Sequence, residues 1–197
     1  MGKIIYMLAY YTIKFYFKFI RRWEIKGRSN LPADGSLIVM ANHISGFDPP
    51  IVGCVLNRQV FFMAKEELFK KPFWDWVFRK IGVFPVKRGK PDLKAIRKAF
   101  KILKSGNILG LFPEGTRHKP GKMGNIQPGA VMIALKSKSP ILPIGIKNVK
   151  NNRRLKVSIG KPFELEDYYD RKLSREEKEE VGGYIKEKIK KELKKID

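Results

Sequence analysis

Two short segments of the sequence carry the side chains best suited to chemistry. The first runs from Asn42 to Asp48 and reads Asn-His-Ile-Ser-Gly-Phe-Asp, so that His43 precedes a carboxylate by five residues. A neutral imidazole accepts a proton near pH 7, and a carboxylate on its other ring nitrogen would fix the tautomer and stabilise the imidazolium. The segment therefore indicates a general base at His43, with Asp48 as its orienting group.

The spacing of His43 and Asp48 sets a geometric condition on this pairing. Five residues along a regular helix separate two side chains by about 140° around its axis, so these two could not share one helix face. We therefore expect Ser45-Gly46 to form a turn that brings the two side chains together. For Asp48 alone, the alternative is an N-cap ahead of Pro49, which would open a helix.

The second segment, Phe112-Pro113-Glu114-Gly115-Thr116-Arg117, combines groups that suit phosphate binding. Gly115 permits a close backbone approach, and Thr116 and Arg117 offer a hydroxyl and a forked guanidinium for phosphate oxygens. Glu114 could orient Arg117 or accept a hydrogen bond from a substrate hydroxyl. The structural alternative is a charged loop in a tight turn. The Gly-Lys-Ser/Thr ending of a Walker A loop is absent from this segment.

Both segments directly follow apolar runs that are typical of buried strands, at residues 37–40 and 107–112. Further strands are predicted at residues 60–63, 83–86, 141–146 and 155–159, and helices at residues 49–56, 67–81 and 128–136 and from Pro91 onward. This alternation predicts a single α/β domain with a mixed, largely parallel sheet flanked by helices. Since such sheets place their sites at the carboxyl ends of strands, the first segment lies where a site is expected. Pro85 predicts that its strand lies at a sheet edge or ends there.

The N-terminal residues 4–20, IIYMLAYYTIKFYFKFI, are apolar except for Lys14 and Lys18. A helix of this length reaches about 25 Å, short of the roughly 30 Å hydrocarbon core of a bilayer. On a helical wheel the cations of residues 3–22 share about one third of the circumference. The pattern predicts an amphipathic, membrane-facing helix that lies in the bilayer interface. A helix packed on its own domain is the alternative.

The domain organisation follows from these patterns. We expect residues 1–26 to form a membrane-associating helical segment and residues 27–197 to form the α/β domain, which ends in a charged helix. A second aromatic and basic stretch spans residues 68–80, and a helix from Pro72 onward would be too apolar all round for a plain surface helix. This stretch could belong to the core or could flank an opening for an apolar chain.

The net charge of +23 limits the classes of partner. Residues 1–160 hold 31 basic and 8 acidic side chains, so the whole excess lies there, whereas residues 161–197 are balanced. Such an excess indicates a polyanionic partner, either nucleic acid or an anionic membrane. No zinc-finger, RNA-recognition or helix-turn-helix signature is present, which argues against nucleic acid. Cys54 is the single cysteine, and two distant histidines provide no ligand set, so no metal site is expected.

Taken together, the two segments resemble the signature of the lysophospholipid and glycerophosphate acyltransferase family, N-H-x-x-x-x-D followed later by F-P-E-G-T-R. Residues 82–88, Gly-Val-Phe-Pro-Val-Lys-Arg, are similar to the family's middle block, which ends in a phosphate-contacting arginine. Leu142-Pro143-Ile144 is similar to its last block. The resemblance covers roughly residues 22–165. Lys87 and His118 depart from the family, which often has an acidic or other polar residue and a serine at these positions.

The resemblance implies acyl transfer from an acyl thioester, borne by acyl carrier protein or coenzyme A, to the free hydroxyl of 1-acylglycerol 3-phosphate (lysophosphatidic acid). The product would be phosphatidic acid, and no cofactor beyond the thioester co-substrate is implied. His43 would be the general base and Asp48 would orient it, with no acyl-enzyme on Ser45 or Cys54. Lys65 is a candidate for stabilising the oxyanion. The implied phosphate-binding residues are Arg88, Glu114, Gly115, Thr116 and Arg117, and the implied motif-supporting residues are Asn42, Ser45 and Pro143.

Two alternatives stay open on the sequence. Within the same enzyme class, the acceptor could be glycerol 3-phosphate or another lysophospholipid. From a different class, the chain could be a basic membrane- or nucleic-acid-binding protein without catalysis. Under the acyltransferase interpretation, we expect a peripheral or monotopic protein on the cytoplasmic face of the cell membrane. Its basic surface would then serve an anionic phospholipid membrane, the acceptor and an acidic carrier protein.

Overall fold

A mostly parallel sheet forms the centre of the protein, whose computed structural model describes residues 2–87, 89, 92–149 and 154–197. The strands are β1 (Glu24–Lys26), β2 (Leu37–Ala41), β3 (Val60–Lys65), β4 (Val83–Val86), β5 (Ile108–Leu111), β6 (Ile141–Val149) and β7 (Arg154–Ile159). Within the described residues these seven strands pair in the order β1-β7-β6-β2-β5-β3-β4. Neighbouring strands run parallel except for β6 and β7, which are antiparallel. The predicted mixed, largely parallel α/β sheet is confirmed.

Helices cover both faces of this sheet. They are α1 (Gly2–Phe15), α2 (Asp48–Val55), α3 (Pro72–Lys80), α4 (Leu93–Lys104), α5 (Pro128–Ser137) and α6 (Arg175–Lys194). A π-helical turn, Tyr16–Ile20, continues α1, and short 3-10 turns occur at Arg28–Asn30, Glu66–Phe69 and Glu166–Tyr168. The C-terminal helix α6 begins with a capping box, in which the Ser174 hydroxyl and the Glu177 carboxylate each accept the other's backbone N–H.

The central strand β2 explains why its sequence is apolar without interruption. Successive side chains of a strand point to opposite faces, and here both faces are covered. Ile38 and Met40 pack in one core cluster with side chains of α4, α5 and α6. Leu37 and Val39 pack in a second cluster with side chains of α2 and of the turn after α1. All five residues of β2 are consequently buried.

Comparison of the local predictions with the structure gives one missed strand, one shortened helix and one confirmed edge position. The strand β1 was not predicted, because three residues with charged ends give no apolar run. The helix predicted over residues 67–81 is a 3-10 turn followed by α3, since Pro72 lacks an N–H and holds Lys71 in an extended conformation. Pro85 lies on β4 at the edge of the sheet, as predicted.

Helix α1 has one face on the domain and another on the surface. It packs against α2 and α3, and Phe17 in the turn that follows is 2% exposed. Its outer face presents large apolar side chains, namely Ile4, Leu8, Tyr11 and Phe15. Among the described helices, none has the length and apolar character that crossing a bilayer requires. The membrane contact of this segment therefore stays a prediction.

The sheet brings the two chemical segments together. Because β2, β5 and β3 are parallel neighbours, their carboxyl ends meet at one edge. The segment after β2 contains His43, and the segment after β5 contains Glu114. We call this edge, with the loops that leave it, the carboxyl edge. Helix α4 starts near the same edge because it follows β4, which is parallel to β3.

Asp92 fixes the start of α4, and its replacement tests that part of the fold. Its Oδ1 accepts the backbone N–H groups of Lys94 and Ala95 at 3.1 Å, and its Oδ2 accepts that of Lys87 at 3.0 Å. We expect Asp92→Ala to lower the free energy of unfolding by about 0.5–2 kcal/mol, measured by urea denaturation at pH 7. Asp92→Asn keeps one acceptor oxygen and should lie between wild type and Asp92→Ala.

The pH dependence of this cap has a defined sign. The backbone hydrogen bond from Lys87 contributes most to lowering the pKa of Asp92, and those from Ala95 and Lys94 add to it. A folded-state pKa below the unfolded value means that the stabilisation is complete above the unfolded pKa and fades as pH falls through the folded one. An Asp92→Ala variant that unfolds like wild type at pH 7 would contradict the role of this cap.

Candidate active site

His43 and Asp48 are in direct contact at the carboxyl edge. The Nδ1 atom of His43 lies 2.8 Å from Oδ2 of Asp48. The same carboxylate oxygen accepts the backbone N–H groups of Ile44 and Ser45, each at 2.7 Å. The backbone N–H of Asp48 donates to the carbonyl of Ser45 at 3.2 Å, which closes the turn through Gly46. The turn expected at Ser45-Gly46 is therefore present.

Asp48 is the first residue of α2 and not its N-cap, so that alternative is wrong. Phe47 occupies the N-cap position without a side-chain hydrogen bond. The Asp48 carboxylate instead points back to the preceding loop, where its partners are the His43 ring and two backbone amides. Its Oδ1 is buried and has no hydrogen-bond partner among the described residues.

Burial and stacking hold the His43 ring in place. Asp48 is 1% exposed and His43 is 8% exposed. The imidazole stacks on Phe112, with 4.3 Å between the ring centroids and 25° between the ring planes. An imidazole whose Nδ1 donates to a carboxylate keeps its lone pair on Nε2. In this tautomer Nε2 is the ring nitrogen that can accept a proton.

Glu114 holds the backbone of the same loop. It is 2% exposed, its Oε1 accepts the His43 N–H at 2.7 Å, and its Oε2 accepts the Gly124 N–H at 2.6 Å. The Nε2 atom of His118 lies 3.6 Å from Oε2, and the His118 backbone N–H donates to the His43 carbonyl at 2.8 Å. Glu114 therefore belongs to the frame of the site, and a contact from it to a phosphate stays a prediction.

Thr116 and Arg117 lie on the open side of the site, where both side chains are exposed. Gly115 turns the chain at φ +72°, and a Cβ there would lie 2.9 Å from Cγ of Gln127. A Cβ built on Gly46 would lie 3.8 Å from Nη1 of Arg117, so the guanidinium is beside the His43–Asp48 turn. The structure thus brings the two predicted segments together, with a cation next to the His43–Asp48 pair.

Lys65 ends β3 at the same carboxyl edge, but its ammonium has another partner. Its Nζ lies 2.9 Å from Oε1 of Glu67, and both side chains are about half exposed, at 50% and 44%. The hydrogen bond from Lys65 lowers the pKa of Glu67. The oxyanion role of Lys65 stays a prediction, and it requires the ammonium to leave this ion pair. Arg88 lies outside the described residues.

The three motif-supporting residues make local contacts. The side-chain amide of Asn42 accepts the Ile146 N–H at 2.7 Å and donates to the Ile146 carbonyl at 3.0 Å, which extends the pairing of β2 with β6. Ser45 Oγ accepts the Phe47 N–H at 3.2 Å. Pro143 lies opposite Met40 in the β2–β6 pair. These contacts hold the strand end and the turn from which His43 projects.

Some contacts of the site could not be predicted from the sequence. Gly124 lies in a loop of glycine, lysine and methionine, and nothing in that loop indicates a bond to Glu114. The aromatic ring of Phe112 belongs to the second segment, yet its stacking on His43 depends on the pairing of β2 with β5. His118 departs from the family at its position, and nothing in the sequence indicates its contact with Glu114.

The fold and the site define a class of protein. Residues 22–147 match the acyltransferase family, and the chain belongs to this family. The resemblance drawn from the sequence is confirmed.

Particular relatives agree with this assignment. Over 152 residues the chain is 32% identical to the 1-acyl-sn-glycerol-3-phosphate acyltransferase of Bacillus subtilis, covering 74% of this chain and 75% of the relative. Over 182 residues it is 33% identical to the protein of the same name from Borreliella burgdorferi, covering 87% and 72%. The crystal structure of the 1-acyl-sn-glycerophosphate acyltransferase from Thermotoga maritima superposes with a TM-score of 0.73 at 28% identity, covering 95% of this chain and 79% of that chain.

Replacing Glu114 by glutamine tests its framing role. The amide would present an NH2 group to one of the two backbone donors, from His43 or Gly124, and leave that donor without a partner. We expect Glu114→Gln to lower the free energy of unfolding by about 1–3 kcal/mol. Glu180→Gln makes the same change at an exposed position of α6 and should stay within about 0.5 kcal/mol of wild type. Equal denaturation midpoints for the two variants would contradict this role.

Proposed function

We propose that this protein transfers a fatty acyl group from an acyl thioester to the free hydroxyl of 1-acylglycerol 3-phosphate, which gives phosphatidic acid. The observation that carries the proposal is the buried His43–Asp48 pair beside Arg117 at the carboxyl edge. A base next to an exposed guanidinium suits an acceptor that has both a hydroxyl and a phosphate. Relatives in Bacillus subtilis and Borreliella burgdorferi are named for this reaction.

In the proposed reaction, Nε2 of His43 takes the proton of the acceptor hydroxyl while its oxygen attacks the thioester carbonyl carbon. Asp48 stabilises the imidazolium that forms. The tetrahedral intermediate then collapses, the carbon–sulfur bond breaks, and His43 returns the proton to the departing thiolate. Lys65 would stabilise the oxyanion between these two steps.

We propose no acyl-enzyme on Cys54 or Ser45. Cys54 is buried, its Sγ donates to the Tyr10 carbonyl at 3.6 Å, and burial raises the pKa of its thiol to about 12. A thiol with so high a pKa forms little thiolate near neutral pH. Ser45 Oγ accepts the Phe47 N–H and lies on the turn itself. Direct attack by the acceptor hydroxyl is therefore the proposed route.

We assign the acceptor phosphate to the open side of the site. Gly115, Thr116 and Arg117 would contact it there, and Arg88 joins them on the family motif. Glu114 would act indirectly, because its carboxylate holds the loop that carries His43. The thioester, from acyl carrier protein or coenzyme A, is the co-substrate, and we propose no further cofactor.

Exposed apolar side chains at Phe47, on α1 and on α3 support a role of the protein at a membrane surface. Phe47, which adjoins Asp48, is 63% exposed. Others lie on the outer face of α1 and on α3, namely Ile4, Leu8, Tyr11, Phe15, Phe73, Trp74 and Trp76. Aromatic and aliphatic groups of this kind favour the interface of a bilayer, and the basic body favours anionic lipid. We propose a peripheral or monotopic position on the cytoplasmic face of the cell membrane.

A transfer assay with purified protein tests this function. Lysophosphatidic acid, an acyl thioester and anionic lipid vesicles are mixed with the protein, and phosphatidic acid is measured by mass spectrometry. We expect product with wild type, and a loss of at least about 10²-fold to 10⁴-fold with His43→Ala, because the attacking hydroxyl loses its base. His118→Ala, which removes the other histidine, should cause a far smaller loss.

Two outcomes would contradict the proposal. A His43→Ala variant that keeps near-full activity, with a circular dichroism spectrum and thermal midpoint like wild type, would exclude His43 as the base. Product from glycerol 3-phosphate, with none from lysophosphatidic acid, would move the acceptor assignment to the other substrate. The same assay therefore examines the base and the acceptor separately.

A further inference from the structure

The outer face of α4 is a stripe of cations. Its members are Lys94, Arg97, Lys98, Lys101 and Lys104, all of them exposed. At 100° per residue they fall within an arc of about 120°, opposite the buried Ala99 and Leu103. The helix contains no acidic residue, and among the described residues no carboxylate lies within ion-pair distance of the stripe. We call these five side chains the α4 stripe.

Such an arrangement has an electrostatic cost within the chain itself. Cations three and four positions apart on a helix repel one another. Burial and the charge of Arg79, which lies on α3, lower the pKa of Lys98. On α6 the pattern differs, because Arg175 and Lys190 each contact a glutamate of the same helix, at 3.0 and 2.8 Å. The α4 stripe lacks such partners and is complementary to an acidic surface from outside the chain.

The α4 stripe faces away from the apolar surface of α1. Ala95 and Ala99 of α4 pack in the cluster that contains Ile38, whereas Phe17 after α1 packs in the cluster that contains Leu37. Because adjacent residues of β2 point to opposite faces, α4 and α1 lie on opposite faces of the sheet. A flat bilayer held against α1 would leave the α4 stripe in solution. An acidic partner of the stripe would then approach from solution.

The position of α4 relates the stripe to the site. Helix α4 begins after β4, close to the carboxyl edge where His43 lies, and Lys94 is in its first turn. A protein docked along the stripe would thus be close to the reacting groups, while its bulk stays off the membrane. A thioester on a flexible arm of that protein could reach the carboxyl edge from there.

We propose that the α4 stripe docks an acidic carrier protein that presents the acyl thioester. This inference rests on the proposed acyl transfer and selects a protein-borne donor for it. The stripe is about 15 Å long, which suits one acidic helix of a small protein. Nucleic acid fits less well, because single strands need aromatic side chains to stack on, and Phe100, the aromatic residue of α4, lies outside the stripe and is half-buried.

Steady-state kinetics with two donors test the proposal. The donors are a purified bacterial acyl carrier protein bearing a hexadecanoyl thioester and hexadecanoyl-coenzyme A, with lysophosphatidic acid as acceptor. We expect the double variant Arg97→Gln/Lys101→Gln to raise KM for the carrier thioester by about tenfold or more, since it removes two docking charges. Its KM and kcat for the coenzyme A thioester should match those of wild type. Lys161→Gln/Lys191→Gln removes the same charge from exposed positions elsewhere and should match wild type with both donors.

The outcomes separate this inference from the proposed function. An unchanged KM for the carrier thioester, or an equal rise for both donors, would overturn docking at the α4 stripe. Wild type that uses only the coenzyme A thioester would overturn it as well and leave acyl transfer intact, whereas inactivity with both donors would overturn the proposed function itself. A DNA duplex whose binding is lost in Arg97→Gln/Lys101→Gln, with carrier KM unchanged, would assign the stripe to nucleic acid.

Discussion

One carboxylate oxygen, Oδ2 of Asp48, holds together the loop on which the whole site depends. It accepts hydrogen bonds from the His43 ring and from two backbone amides that follow, at 2.7–2.8 Å. Burying a carboxylate is costly unless donors surround it, and here the donors come from the turn that must be shaped. The Glu114 carboxylate holds the same loop in a similar way, because it accepts the backbone N–H of His43 itself. His43 is thus positioned through both its ring and its main chain.

The parallel sheet allows both carboxylates, of Asp48 and Glu114, to hold His43. Asp48 and His43 are near in sequence, but Glu114 is 71 residues from His43 and meets it only because β2 and β5 are parallel neighbours. Strands β2 and β5 contain no polar side chain, so the polar groups that follow them lie in the loops at the carboxyl edge. Burial of the strands therefore fixes the edge, and the carboxylates fix the loops on that edge. Arg117 and Thr116 stay exposed, which leaves the open side to a ligand.

Sequence patterns predicted the parts of the fold that depend on local periodicity and local bonds. The apolar runs gave β2 to β7, Pro85 marked the edge strand, and the five-residue spacing required the turn between His43 and Asp48. The patterns could not give β1, which is three residues long and has charged ends. They also left the partners of Glu114 unknown, because the amides of His43 and Gly124 are backbone groups, which leave no trace in residue types.

The central claim is that His43 and Asp48 act as one unit on the acceptor hydroxyl, and a double-mutant cycle measures it most directly. Turnover of lysophosphatidic acid is compared among wild type, His43→Ala, Asp48→Asn and the double variant, each checked for folding by circular dichroism. Residues that act as a unit give strongly non-additive losses, so the double variant should be about as slow as His43→Ala alone. Losses that multiply, with the double variant slower by the product of the two single effects, would contradict the claim.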